Sequence, residues 1–180
     1  MTLAEFLAWD DGTDQRYELL FGEVIAMAPA LEAHGTIVAR LGLLIGNALR
    51  RPCRVISEVG VQAPGRKDTY FIPDLAVTCA PPQARNQFLI EPTLIVEVLS
   101  PSTAHYDRQF KLTSYRQIPS VREILYVSSF ERQVELQRRG DAGLWTVEDL
   151  IGGGTVHLQS VPVDLPLDTI YQDVALDEKT

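Results

Sequence analysis

The chain has 180 residues, 46% of them hydrophobic and 22% charged, an ordinary globular composition that excludes a disordered or collagen-like polypeptide. Sixteen basic against 24 acidic residues leave a net charge of −8, which argues against a protein that grips nucleic acid by bulk electrostatics. A chain of this length buries roughly 70% of the surface its unfolded form exposes, so one domain over residues 1–180 is expected, with no need of disulfides or structural metal.

Cys53 and Cys79 stand far apart with no CxxC spacing, which makes zinc and disulfide frameworks poor readings and fits a reducing cytoplasm. No basic n-region precedes an apolar stretch, and no apolar run approaches the 18 or so residues that cross a bilayer, so a cytosolic protein without membrane contact is expected. The charge is unevenly spread. From Asp141 onward eight acids face one base, Lys179, whereas the first 140 residues nearly balance. Arg50, Arg51, Arg54, Arg66 and Lys67 form one basic stretch and Arg108, Lys111, Arg116 and Arg122 another, where a polyanion could dock or which could simply be solvated surface.

Thr2 with Glu5 is a capping-box pattern, and Leu3, Phe6 and Leu7 follow at helical spacing, which predicts a short helix ending at Gly12. YELL and EVIAM around Phe21-Gly22 predict a β-hairpin from Arg16 to Ala28. Ile37, Val38, Leu41, Leu44, Ile45, Ala48 and Leu49 then repeat at three and four residues, the pattern of a helix over Leu31 to Arg50. Gly42 and Gly46 cost it helix propensity, which suggests close packing on a sheet. Strands are expected over Arg54 to Gln62, Tyr70 to Cys79 and Thr93 to Leu99, the last two being nearly continuous apolar runs of the kind buried on both faces. A helix from about Ala104 to Gln117, stopped by Pro119, precedes the segments REILYVS, RQVELQRR, LWTVEDL and TVHLQS, read as strands of an antiparallel meander.

Glu97 interrupts the apolar run Leu94 to Leu99, where an ionised side chain is expensive unless it is paired or binds metal. Asp74 poses the same question in Phe71 to Val77. The two acids on neighbouring strands could converge on a hard cation such as Mg²⁺, or each could end its strand at the surface or pair with an arginine. Asp107, Lys111 and Tyr115 share one helical face, and an acid four residues before a lysine is the favoured orientation of an ordinary exposed ion pair. The helix nevertheless starts soon after the Glu97 strand, so the Lys111 ammonium could reach that strand's C-terminal end, where α/β folds place ligands.

Tyr17-Glu18-Leu-Leu-Phe-Gly22-Glu23, His34 at the opening of a long helix, Pro73-Asp74, the stretch from Val96-Glu97 to Thr103, and the D-x-x-x-K-x-x-x-Y helix occur here in one order. In these residues the chain, from about Arg16 to Val127, resembles the Uma2 (DUF820) family of the PD-(D/E)xK restriction-endonuclease-like superfamily. The resemblance implies a mixed α/β (α+β) fold: a restriction-endonuclease-like mixed sheet flanked by helices, with an added N-terminal hairpin and late antiparallel strands. It also implies that Asp74 and Glu97 are metal-binding acids. The superfamily's usual lysine position, two residues after the second acid, is Leu99 here, and Lys111 would replace it from the helix. The hairpin turn, usually Asp-Gly, is Phe21-Gly22. Ile118 to Val121 and Ile124-Leu125 stand where the family has Gly-Val and a Tyr-Trp pair.

Glu18 matches a frequent family acid that could support the metal or the water, although an acid on a hairpin strand can equally be a cross-strand partner. His34 resembles the family's histidine and can equally cap or pack its helix. Ser100, Ser102 and Thr103 are read as capping and turn residues, since no GxSxG elbow accompanies them, and Trp9 and Trp145 as packing residues. The expectation is a Mg²⁺- or Mn²⁺-dependent endonuclease acting on nucleic acid, DNA before RNA. Asp74, Glu97, the Val98 carbonyl and Glu18 would serve the metal, and Lys111 would stabilise the attacked phosphate. A homodimer paired through the late strands is expected, with Lys111→Ala leaving folding almost unchanged. The alternatives are a catalytically inactive nuclease fold used for binding or regulation, and a two-carboxylate glycosidase, which leaves Lys111 without a role.

Overall fold

The computed structural model describes residues 1–101 and 107–176. The first helix, α1 (Leu3–Ala8), carries the full capping box between Thr2 and Glu5, but it stops at Ala8, and Gly12 lies beyond it in a turn. The predicted hairpin is present as β1 (Tyr17–Leu20) and β2 (Glu23–Ala26). Helix α2 (Glu32–Ala48) buries Ile37, Leu41 and Ile45 completely. Each such side chain stabilises by about 1.5–3 kcal/mol, which outweighs the propensity lost at its glycines, about 1 kcal/mol each. Those glycines let the helix lie close on the sheet: a methyl group at Gly46 would stand 3.3 Å from Val55, and one at Gly42 3.7 Å from Leu75.

Two of the expected strands each divide. Arg54 to Gln62 becomes β3 (Arg54–Ser57) and β4 (Val61–Gln62), and Tyr70 to Cys79 becomes β5 (Tyr70–Phe71) and β6 (Leu75–Thr78). The breaks have local causes. Glu58 takes the left-handed conformation at φ 52°, and Pro73 lacks the N–H that a continuous ladder would need. The pieces enter different sheets: β4 and β5 join the hairpin in a four-stranded sheet, order β2-β1-β5-β4, and β3 and β6 lie in a six-stranded one.

Strand β7 (Pro92–Leu99) lies inside the larger sheet, antiparallel to β6 and parallel to β8 (Glu123–Ser128). The connection between β7 and β8 includes a π-helical turn, Asp107–Lys111, that runs into α3 (Leu112–Gln117), short of Pro119 as expected. The expected start of that helix, Ala104 to Tyr106, lies outside the described residues, as do Ser102, Thr103 and the Asp107 side chain. β9 (Gln133–Arg139) and β10 (Trp145–Ile151) complete the meander with β8. The last predicted strand does not join it: β11 (Thr155–Leu158) pairs with β12 (Val163–Pro166), which leads into α4 (Leu167–Ile170). Buried Glu123 secures this appendage, because its carboxylate accepts from the backbone N–H of Gln159 at 3.0 Å and of Ser160 at 2.7 Å and from Arg138 Nε at 2.8 Å.

Both faces of the large sheet are covered. Leu94, Val96 and Val98 pack with α2 and the β11–β12 appendage, and Ile95 and Leu99 pack with Phe71 of the smaller sheet and Tyr115 of α3. No helix among the described residues is long and apolar enough to cross a membrane.

Cys53 and Cys79 form a disulfide, against the sequence expectation. Antiparallel β3 and β6 pair Arg54 with Thr78, so the next residues outward, Cys53 and Cys79, come face to face, a register that linear spacing hides. The reducing-compartment expectation rested on unpaired thiols and loses that support. The bridge closes a loop of about 26 residues, which on chain-entropy grounds stabilises on the order of 3 kcal/mol. Reduction, or Cys53→Ser with Cys79→Ser, should therefore lower Tm by roughly 5 to 10 °C. Calorimetry with and without reductant measures this, and an unchanged Tm would mean the bridge contributes no stability.

Candidate active site

Glu97 stands on β7 opposite Tyr126 of β8, with only 3% of its surface exposed, so its charge must be compensated from above the sheet. Two residues of the helical connection do this. The Tyr115 hydroxyl donates to Glu97 Oε1 at 2.6 Å, and Lys111 Nζ lies 3.3 Å from the same oxygen. Burial first, and then the neighbouring Glu97 charge, push the Tyr115 hydroxyl well above its ordinary pKa, so it stays a proton donor at any physiological pH.

Lys111 has a second partner in Glu18 Oε1, at 2.9 Å, an oxygen that also accepts from the Ile72 N–H at 2.8 Å. In the hairpin register Glu18 faces Ile25, an apolar residue, so its partners are across the site and not across the hairpin. Hairpin, central strand and helix thus meet at one buried ammonium. This overturns the exposed ion-pair reading of Lys111, and with it the expectation that Lys111→Ala leaves folding unchanged. Removing one member of a buried charge cluster typically costs about 3–5 kcal/mol, because the others are left uncompensated.

Asp74 precedes β6, and extending the Leu75 to Val96 register by one step sets it opposite Glu97. Its Oδ2 accepts from the Val98 N–H at 2.6 Å, and its Oδ1 faces His34 Nε2 at 3.2 Å. His34 sits in the first turn of α2, whose N-cap is Leu31, and its Nε2 side serves the acid. The family resemblance pointed to this residue; charge and spacing alone did not. Arg16 lies close by, 2.7 Å from Glu58, whose own N–H donates to the Asp74 carbonyl at 3.2 Å.

The basic helix stretch is not an open stripe. Arg108 pairs with Glu135 at 3.2 Å, Arg116 donates to Gln137 at 2.9 Å through Nε, and Lys111 is buried. A cleft of about 400 Å³ opens where β7 and β8 end, bordered by Leu99, Arg108, Ser128 and Gln133, two residues along β7 from Glu97. Ligands of α/β folds bind at such strand ends. Among the described residues no three His, Cys, Asp or Glu side chains form a complete metal cage. A two-carboxylate oxygen set suits Mg²⁺, which retains several waters, and does not suit a structural zinc. The glycosidase alternative gives Lys111 no role, whereas here its ammonium is buried between Glu18 and Glu97.

Residues 3–169 match the Uma2 family model, described as "Putative restriction endonuclease". The chain is 32% identical over 174 residues to the uncharacterized protein slr1290 of Synechocystis sp. (strain ATCC 27184 / PCC 6803 / Kazusa), covering 95% of this chain and 91% of that one. To the uncharacterized protein sll1609 of the same organism it is 28% identical over 157 residues, covering 84% and 88%. Its backbone resembles the crystal structure of "a putative nuclease belonging to DUF820" from Anabaena variabilis ATCC 29413, with a TM-score of 0.75, 21% identity and coverage of 95% and 97%. At that identity the likeness shows the fold, a nuclease-type mixed sheet with few helices. The family match over nearly the whole chain and the identity shared end to end with a relative lead to one conclusion: this chain belongs to the Uma2 family.

Proposed function

We propose that this protein is a Mg²⁺- or Mn²⁺-dependent endonuclease hydrolysing phosphodiester bonds of nucleic acid, with DNA as the substrate. The observation that carries the reading is the convergence of Asp74, Glu97 and Lys111 from three separate segments on one end of β7. Buried ion pairs are seldom more stabilising than well-packed apolar residues of similar volume, so stability alone is a weak reason for such a cluster. The description of the family and the nuclease-type fold shared with the Anabaena protein support it.

On this reading Asp74, Glu97 and the Val98 carbonyl hold the cation, and Glu18 supports the cluster from the hairpin. When bound, the cation lowers the pKa of water and offsets phosphate charge. The chain's own residues prepare the site. Tyr115 fixes one oxygen of Glu97, and His34 with the Val98 N–H fixes Asp74, so neither carboxylate has to be ordered when substrate arrives. Lys111 supplies positive charge where the phosphate gains negative charge. Duplex cleavage needs two such sites, which a two-fold homodimer would supply. Edge strand β10, with Val147 and Ile151 exposed, is the surface proposed for it.

Calorimetry should show Mg²⁺ or Mn²⁺ binding that disappears in Asp74→Ala and in Glu97→Ala; retained binding in both would refute the metal site. Tyr115→Phe should weaken that binding by about 10-fold or more, as loss of an outer partner of a metal ligand does. Cleavage of supercoiled, linear, branched and single-stranded DNA should fall by a factor on the order of 100 in Lys111→Ala. Because that variant is also destabilised, the pair Glu18→Gln with Lys111→Gln, which keeps the net charge of the cluster, provides the control: it should fold and still fail to cleave. No cleavage by the wild type alongside salt-sensitive binding would favour the inactive binding module. Light scattering tests the dimer, and a monomer at micromolar concentration would exclude it.

A further inference from the structure

The hairpin turn beside the site holds an aromatic residue in a conformation that disfavours it. Phe21 has φ 49° and is followed by Gly22 at φ 87°, a two-residue turn in which asparagine or aspartate before glycine is the relaxed choice. A bulky side chain in the left-handed region is an outlier, and such strain collects at functional sites. Burial does not account for the choice, because Phe21 is 49% exposed.

The surroundings of the ring are specific. The Arg66 guanidinium lies over it at 4.4 Å from the centroid, itself held by Asp68 at 2.8 Å and by Thr69 at 2.9 Å. Phe110 makes a T-shaped contact with it, with centroids 6.4 Å apart and planes at 80°. Phe110 immediately precedes Lys111, and Glu18 lies three residues before Phe21, so the turn is joined through both of its neighbours to the ion pair of the candidate site. Lys67, next to Arg66, is exposed.

We propose that Phe21 is a base-stacking residue, whose half-exposed ring takes an unpaired base of a DNA strand lying against the Glu97 cluster. The inference rests on the nuclease reading and adds a substrate class to it: a strand with an accessible base, single-stranded or locally unpaired, in preference to an intact duplex. An exposed aromatic ring recognises any base by stacking, and a neighbouring arginine adds a cation–π contribution. A base inside a B-form duplex has no free face to offer.

The test compares wild type, Phe21→Asn and Phe21→Trp in binding a single-stranded oligodeoxynucleotide carrying 2-aminopurine, and a blunt duplex of the same length, with Ca²⁺ in place of Mg²⁺. Asparagine suits the turn, so the fold is kept while the ring is lost, and the Tm of Phe21→Asn should not fall below that of the wild type. Phe21→Asn should weaken single-strand binding about 10-fold, leave the slope of affinity against salt unchanged, and alter duplex binding by less than about twofold. Phe21→Trp should restore both the affinity and the quenching of 2-aminopurine. Equal affinity in wild type and Phe21→Asn overturns the proposal, and a lowered Tm with unchanged affinity assigns the ring to packing. A shift in oligomeric state with unchanged affinity assigns the turn to a protein interface instead. If the wild type binds no DNA at all, the nuclease reading falls and this inference falls with it.

Discussion

An ionised glutamate in the middle of a sheet covered on both faces is the constraint on which the rest of the structure depends. Taking such a charge out of water costs several kcal/mol even after relaxation, and a lone cation repays that only when further hydrogen bonds complete the shell. Glu97 obtains Lys111 and Tyr115 from the π-helical turn and α3, so these lie over the sheet and do not project from it. Lys111 in turn holds Glu18, which draws the N-terminal hairpin, and through it the whole smaller sheet, onto the same point. The flanking apolar layers supply the stability against which this cluster is held, since Leu94, Ile95, Val96, Val98 and Leu99 on the same strand are each almost fully buried.

The two breaks that divide the expected strands have one consequence for the site. Between β3 and β6 the chain passes from sheet to sheet twice, at Glu58-Val59-Gly60 and again at Ile72-Pro73-Asp74, and the two passages touch through the Glu58 N–H and the Asp74 carbonyl. Asp74 therefore sits at the junction of the sheets, off the regular ladder of β6, where its carboxylate can accept from Val98 and face His34 together. A continuous strand through Pro73 would have left that carboxylate pointing from a ladder position with neighbours fixed by register. The proline that weakens the strand is what frees the acid.

What could be read in the sequence follows the same physics. Asp74 and Glu97 were conspicuous because a charge interrupting an apolar strand has few explanations, and α2 because a three-four apolar period over 17 residues has hardly any other. Lys111 is legible as far as its reach toward the end of the Glu97 strand, since its helix follows that strand, but its pairing with Glu18 is not. Glu18 and Tyr115 cannot be placed by spacing, because their meaning lies in contacts across 54 and 18 residues of chain: Glu18 to Ile72, and Tyr115 to Glu97. The disulfide was hidden for the same reason, its partners being neighbours only once β3 and β6 are in register. Strands β4 and β5 were absorbed into longer runs because two-residue strands carry no period of their own. Strand β11 pairs with β12, which is not among the predicted strands, because the strand pattern that predicts β11 says nothing of which edge it pairs with.

The net charge of −8 then bears on how a polyanion could be held at all. Among the described residues, most cations around the site are already engaged: Lys111 by two carboxylates, Arg108 by Glu135, Arg116 by Gln137, Arg16 by Glu58. Affinity from released counterions scales with the number of phosphates that cationic side chains neutralise, and a side chain already held by a carboxylate neutralises less. For the proposed nuclease, binding energy must therefore come from sources less sensitive to salt: the hard cation between the carboxylates and the phosphate, and apolar contact with bases. That division would make substrate recognition depend on catalytic metal, so that an acidic protein engages a nucleic acid only when the group that cleaves it is in place.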